Sequence, residues 1–155
     1  AKDAAHPFKV SIGINTEVKV LDTHFDVMAY PDEAVSQTTL LEGSVQVSEG
    51  TTTRMIVPGE QAIIGSAISV KKVDVTEIIG WKNGMFNFTH EKLPEVMRKI
   101  ARWYDVDLVY EGKLTNLSFV GTRPRSQNIK EILDYLELTG LVHFKINGRR
   151  IVIMP

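Results

Sequence analysis

The chain has 155 residues, 43% hydrophobic and 24% charged, with a net charge of −1, an ordinary globular composition for one domain or two small ones. It has no cysteine, which excludes disulfide staples, thiolate catalysis and cysteine zinc sites, and no apolar run approaches the ~20 residues that span a bilayer. Residues 1–80 carry 6 Lys/Arg and 11 Asp/Glu, a net −5, while residues 81–155 carry 12 and 8, a net +4. Opposite charges of this size help two modules to pack or stay soluble, and a basic half can steer a partner. The basic residues do not cluster among aromatics, so nucleic acid is not expected as that partner.

The opening AKDAAHPFKV lacks the apolar core of a secretory leader, and the chain reads as a piece of a longer protein. Phe8, Val10 and Ile12 then alternate with polar residues, as do Val18 and Val20, then Phe25, Val27 and Ala29. A period of two predicts strands with one face in a core. Pro31-Asp32-Glu33 reads as a turn, and so does Glu42-Gly43-Ser44 after Leu40-Leu41. Val45 and Val47 resume the alternation, Ser48-Glu49-Gly50 turns again, and Met55 and Val57 lead into Pro58-Gly59-Glu60. There proline presets the first central position of a turn and glycine supplies positive φ at the second. Ala62-Ile63-Ile64 and Ile68-Val70-Val73-Val75 complete an all-β module, a sandwich, roll or solenoid, without a helix.

At Trp81 the rhythm changes. Met85, Phe86 and Phe88 predict a strand. Leu93, Val96, Met97, Ile100, Ala101 and Tyr104 make one apolar face of a helix, with Pro94 in its first turn. Val106, Leu108 and Tyr110 form a strand, and Leu117 and Phe119 begin another. Ser126 is the expected N-cap of a second helix through Ile129, Ile132, Leu133 and Leu136, with Gly140 beyond its end. Val142, Phe144 and Ile146 meet Asn147-Gly148, a hairpin signal, before Ile151 and Ile153. The fold class is α+β overall: an all-β module over residues 1–80, then a small α+β module of two β-α-β units over 81–155.

No chemistry-bearing motif stands out. His6, His24, His90 and His143 lack metal-ligand spacing and read as surface or structural histidines. In a strand, Asp22, His24 and Asp26 share one face and Thr23 takes the other, so the hydroxyl is separated from its base. Asp105 and Asp107 read as solvated. Gly43, Gly59 and Gly148 are turn glycines, and no phosphate loop or other cofactor motif is present. Trp81 at the joint reads as an interdomain plug or a partner contact. With Phe86, Phe88 and Trp103 it makes the candidate partner-binding set.

The segments TEVKVLDTHFDVMAYPDE, TLLEGSVQV, VPGEQA and WKNGMFNFTHEKLPEVMRKIARWYDVDLVYEG resemble FecR-like anti-sigma factors, from about Pro7 to Ile153. The closest likeness is to the Bacteroidetes type, whose FecR domain precedes a module similar to the secretin/TonB short N-terminal (STN) domain. The resemblance implies a periplasmic region of an inner-membrane protein. Ahead of it would lie a cytoplasmic sigma-binding segment, one membrane helix and the first part of the FecR domain. It also implies, as partners, the signalling domain of a TonB-dependent receptor (SusC-like or siderophore) and an extracytoplasmic-function sigma factor, with no cofactor and no enzymatic turnover. Such proteins commonly carry Val-Leu-Gly-Thr where this chain has Val20-Leu21-Asp22-Thr23, and some self-cleave at that Gly-Thr bond. Glycine eases the strained backbone such a step needs, so aspartate argues against cleavage here, with Asp22 and Thr23 the residues to test. The alternative reading is a carbohydrate-binding β module, which the few aromatics of residues 1–80 (Phe8, Phe25, Tyr30) do not favour.

Overall fold

A computed structural model describes residues 8–114 and 116–155, Leu21 by its backbone alone. The chain divides into two compact units, Ala1–Ile79 and Gly80–Pro155, a boundary one residue from that read at Trp81.

Unit 1 is built from β1 (Phe8–Ile12), β2 (Thr16–Met28), β3 (Ser36–Glu49), β4 (Thr52–Ile56), β5 (Glu60–Ile64) and β6 (Ile68–Lys72). They form one antiparallel sheet in the order β1-β2-β3-β5-β6, with β4 also on β3. β5 pairs with Ser36–Thr39 of β3 and β4 with Val45–Glu49, so one long strand serves two neighbours. A single apolar face collects Val18, Val20, Leu40, Val45, Val47, Ile56, Ala62, Ile64 and Ile68. Unit 1 is thus one sheet bent around its own core.

The inward phase slips at one level of this sheet. On β2 the inward residues are Val18 and Val20, then Phe25; on β3 they are Leu40, then Val45 and Val47. The pairing register breaks between Leu21 and His24 and again before Phe25. At that level sit Asp22 (φ +50°) and Gly43 (φ +93°), a pair of bulges facing each other across two strands. Glu42-Gly43-Ser44 is therefore the interior of β3 and not a turn, because a bulge uses the same positive-φ chemistry as a turn.

Two other expectations are corrected. Met55 and Val57 are exposed and Ile56 is buried, opposite Val45. β6 ends at Lys72, and Val75 opens a one-turn helix, α1 (Val75–Ile78). Its cap is Asp74, whose carboxylate accepts the N–H and hydroxyl of Thr76 at 2.9 and 2.6 Å. The Pro58-Gly59 turn forms as read: the Glu60 N–H donates to the Val57 carbonyl at 3.0 Å, and Gly59 has φ +87°.

In unit 2, a 3₁₀ turn (Ile79–Asn83) leads into β7 (Met85–Lys92), α2 (Leu93–Tyr104), β8 (Asp107–Tyr110), β9 (Ser118–Pro124), α3 (Ile129–Glu137), β10 (His143–Asn147) and β11 (Arg150–Met154). β7 pairs antiparallel with β9, and a second sheet runs β10-β11-β8 with β11 parallel to β8. The two β-α-β units share one core, including Phe86, Phe88, Met97, Ile100, Ile132, Leu136, Ile151 and Ile153. α2 starts with a capping box: the Lys92 N–H donates to Glu95 Oε2 at 2.8 Å. The cap of α3 is Asn128 and not Ser126. Asn128 Oδ1 accepts the Glu131 N–H at 3.0 Å, and only the residue adjoining the first turn reaches that donor. Asn147 pairs with Arg150, so Gly148 (φ +61°) and Arg149 form the hairpin turn. Glycine at the first central position replaces the Asn-Gly pair read from the sequence.

Candidate partner-binding surface

The last turn of α2 and the loop after β9 build an aromatic-cationic cluster. The Trp103 indole N–H donates to the Arg125 carbonyl at 3.0 Å. The Arg125 guanidinium lies 4.8 Å from the Trp103 ring and 4.7 Å from the Phe86 ring, while its Nε donates to the Met85 carbonyl at 3.2 Å. Tyr104 OH donates to the Gln127 carbonyl at 2.7 Å. Burial raises the Tyr104 hydroxyl above the ordinary phenol range, with the nearby Glu131 carboxylate adding to the shift and Arg125 opposing it. Trp103 is 49% exposed and Trp81 53%. Phe86 and Phe88 are each 1% exposed and stack at 6.0 Å inside the core, so these two members of the candidate set offer no surface to a partner. Arg125, at the centre of the cluster, was not legible, since its ring partner Trp103 is 22 residues away in sequence.

The second assembly is the paired bulge of unit 1. Asp22 is exposed and holds a left-handed φ of +50° at the position where the resembled family has glycine. The Thr23 hydroxyl oxygen is buried and has no hydrogen-bond partner. A Cβ built on Gly43 would collide with the Thr23 methyl and lie 2.8 Å from the Asp22 carbonyl oxygen. Bare backbone at Gly43 is therefore what lets the Asp22-Thr23 peptide settle across β3. His24 Nδ1 faces Glu42 Oε2 at 3.3 Å, both side chains exposed. The bulge breaks the simple alternation expected for Asp22, His24 and Asp26.

The remaining sequence candidates stay apart. His143 Nδ1 is 4.0 Å from Glu137, His90 (φ +58°) occupies a bulge of β7, and His6 lies outside the described residues. Among the described residues no group of three or more His, Asp or Glu is placed to hold a metal ion. Asp105 pairs with Arg149 at 2.9 Å. Of the aromatics in unit 1, Phe25 packs on the core, while Phe8 opens β1 and Tyr30 lies beyond the end of β2. The two exposed rings do not share a strand face on which a sugar would stack.

Residues 85–153 match the family model of the FecR C-terminal domain. The match spans most of unit 2, which is thus similar to a FecR C-terminal domain. The whole chain also has the fold of a protein designated an anti-sigma factor, from Parabacteroides distasonis ATCC 8503. Its crystal structures at 1.65 and 2.50 Å resolution each match with a TM-score of 0.87 and 22% identity, over 99% of this chain and 73% of that one. No curated protein matches. The resemblance to FecR-like anti-sigma factors drawn from the sequence stands on these two findings. The matched residues include the Trp103–Arg125 cluster, while the paired bulge lies outside them. Among the described residues no helix is long and apolar enough to cross a membrane.

Proposed function

We propose that this chain is the periplasmic signalling region of an anti-sigma factor. It binds the signalling domain of a TonB-dependent outer-membrane receptor and so controls release of an extracytoplasmic-function sigma factor held by another part of the same protein. The observation that carries the reading is the match of residues 85–153 to the FecR C-terminal domain model, after a β unit, within a fold shared over 99% of the chain with a protein designated an anti-sigma factor. The surplus of basic residues in unit 2 supports an acidic partner surface, and association should then slow as salt rises. Calorimetric titration with the isolated signalling domain of the cognate TonB-dependent receptor tests it. Saturable binding is the expected result, and no heat from a folded chain refutes the reading.

A second reading, self-processing at the Asp22-Thr23 bond, is favoured by the left-handed Asp22 and the unpartnered Thr23 hydroxyl. Thr23 Oγ would attack the Asp22 carbonyl carbon, and its proton would pass to the departing Thr23 nitrogen. Water would then hydrolyse the ester to an Asp22 carboxylate and a new amino terminus. Mass spectrometry of freshly purified protein decides: two fragments that disappear in Thr23→Ala support it, and a stable full-length mass excludes it.

A further inference from the structure

β10 is an edge strand of the three-stranded sheet. Asn147 and Arg150 flank a two-residue turn, and Lys145–Val152 and His143–Met154 follow as every second pair. Residues flanking such a turn exchange hydrogen bonds, as does every second pair after them. The N–H and C=O groups of Phe144 and Ile146 therefore point away from β11. Phe144 shows the direction: its N–H donates to Glu137 Oε1 at 2.6 Å, from the last residue of α3.

Beside this edge lies a groove of about 490 Å³, lined by Leu133, Asp134, Glu137, Phe144 and Ile146 together with Lys130 and Lys145. Its two lysines and two carboxylates balance in number but are not all paired with one another. Lys130 Nζ binds both Asp134 oxygens, at 2.9 and 2.7 Å. Glu137 is engaged by the Phe144 N–H and has His143 Nδ1 at 4.0 Å. Lys145 forms no ion pair among the described residues. The ammonium of Lys145 is thus the charged group that the groove leaves to a partner, and its sign is that of the net charge of residues 81–155. The opposite edge, β8, offers no such match: it is four residues long, opens with Asp107 and is followed by Glu111.

We propose that β10 accepts an added strand, an extended segment of a partner protein with an apolar side chain in the Leu133–Ile146 groove and an acidic side chain beside Lys145. Backbone pairing supplies the affinity in this mode and the groove supplies the selectivity. Glu137 is the gate, because its carboxylate occupies the Phe144 N–H that the incoming strand needs, through a charge-assisted bond stronger than a neutral one. The inference rests on the receptor-binding reading and names where and how the receptor would dock.

The test combines amide hydrogen exchange with titration of the same receptor signalling domain. In the free chain the Ile146 amide should exchange fast and that of Lys145, paired to β11, slowly. On binding, both Ile146 and Phe144 should become protected. Ile146→Pro removes an outward N–H, a change edge strands tolerate, and should weaken binding about tenfold or more. Lys145→Glu should weaken it too, and Glu137→Ala should strengthen it severalfold. Exchange on the unmutated chain keeps the test valid if the proline variant misfolds. Binding with Ile146 still exchanging freely overturns the inference and leaves the receptor reading intact. No binding by any folded variant overturns both.

Discussion

Gly43 and Gly59 have nearly the same backbone, φ +93° and +87°, but opposite surroundings. A Cβ on Gly59 would meet nothing within 4 Å; one on Gly43 would strike the Thr23 methyl and approach the Asp22 carbonyl oxygen to 2.8 Å. Gly59→Ala should therefore cost only the conformational penalty of an L-residue at positive φ, about 1–2 kcal/mol. Gly43→Ala should add an overpacking cost of about 1–3 kcal/mol, for a total of roughly 2–5 kcal/mol. In a unit this small, each kcal/mol lowers the melting temperature by about 4–8 °C. Urea unfolding followed by far-UV circular dichroism measures both variants, and fluorescence from Trp81 and Trp103 follows unit 2 separately. Thr23→Ser deletes the methyl in the way, so the double variant should recover part of the loss, a coupling of about 1 kcal/mol. If Gly43→Ala costs no more than Gly59→Ala, or Thr23→Ser recovers nothing, the paired-bulge account is wrong.

Three further outcomes follow from the geometry. Asn128→Ala should destabilise unit 2 by about 1 kcal/mol through loss of the α3 cap, whereas Ser126→Ala should change its unfolding midpoint little. Phe86→Ala should cost about 3–5 kcal/mol as a core truncation, and a variant that folds normally would contradict its burial. The hydrogen bonds from Thr76 hold the Asp74 carboxyl below the ordinary aspartate range. A depressed carboxylate stabilises the fold above its unfolded pKa of about 3.9, and that contribution fades as pH falls through the lower folded value. NMR titration should show the low Asp74 midpoint, and Thr76→Val should raise it toward the unfolded value.

The order of elements in unit 2 could be read because each carries its own period: Leu93 to Tyr104 at helical spacing, Phe86 and Phe88 at strand spacing. Alternation shows which residues share a face but not whether that face is covered, so Phe86 and Phe88 were open to reading as a partner surface. Met55-Ile56-Val57 is apolar in both phases, and only the pairing of Ile56 with Val45 decides which side is in. Glu42-Gly43-Ser44 has turn chemistry; it is a bulge because its flanks continue along the same neighbour, β2, which one local sequence cannot reveal. The phase slip was nonetheless visible, from Val18 and Val20 to Phe25 and Val27. Asn128 with Glu131 three residues on carries the capping signal, which Ser126, followed at that spacing by Ile129, lacks. The groove beside β10 depends on α3 and β10 meeting in space, and Glu137 gave no local sign of its contact with Phe144.

β11 lies between β10 and β8, with Ile151 and Ile153 fully buried and Arg150 paired to Asp107. The middle strand of this sheet is therefore made last. While the ribosome is still building the chain, β8 has no neighbour in its sheet, and the halves of the core on α2 and α3 cannot close. Unit 1, whose strands pair mainly with close sequence neighbours, has no such wait. Long-range pairing of this kind is slow and leaves apolar surface open in the meantime. A nascent chain should thus carry a finished β unit ahead of an unfinished unit 2, and loss of β11 alone should abolish that whole unit.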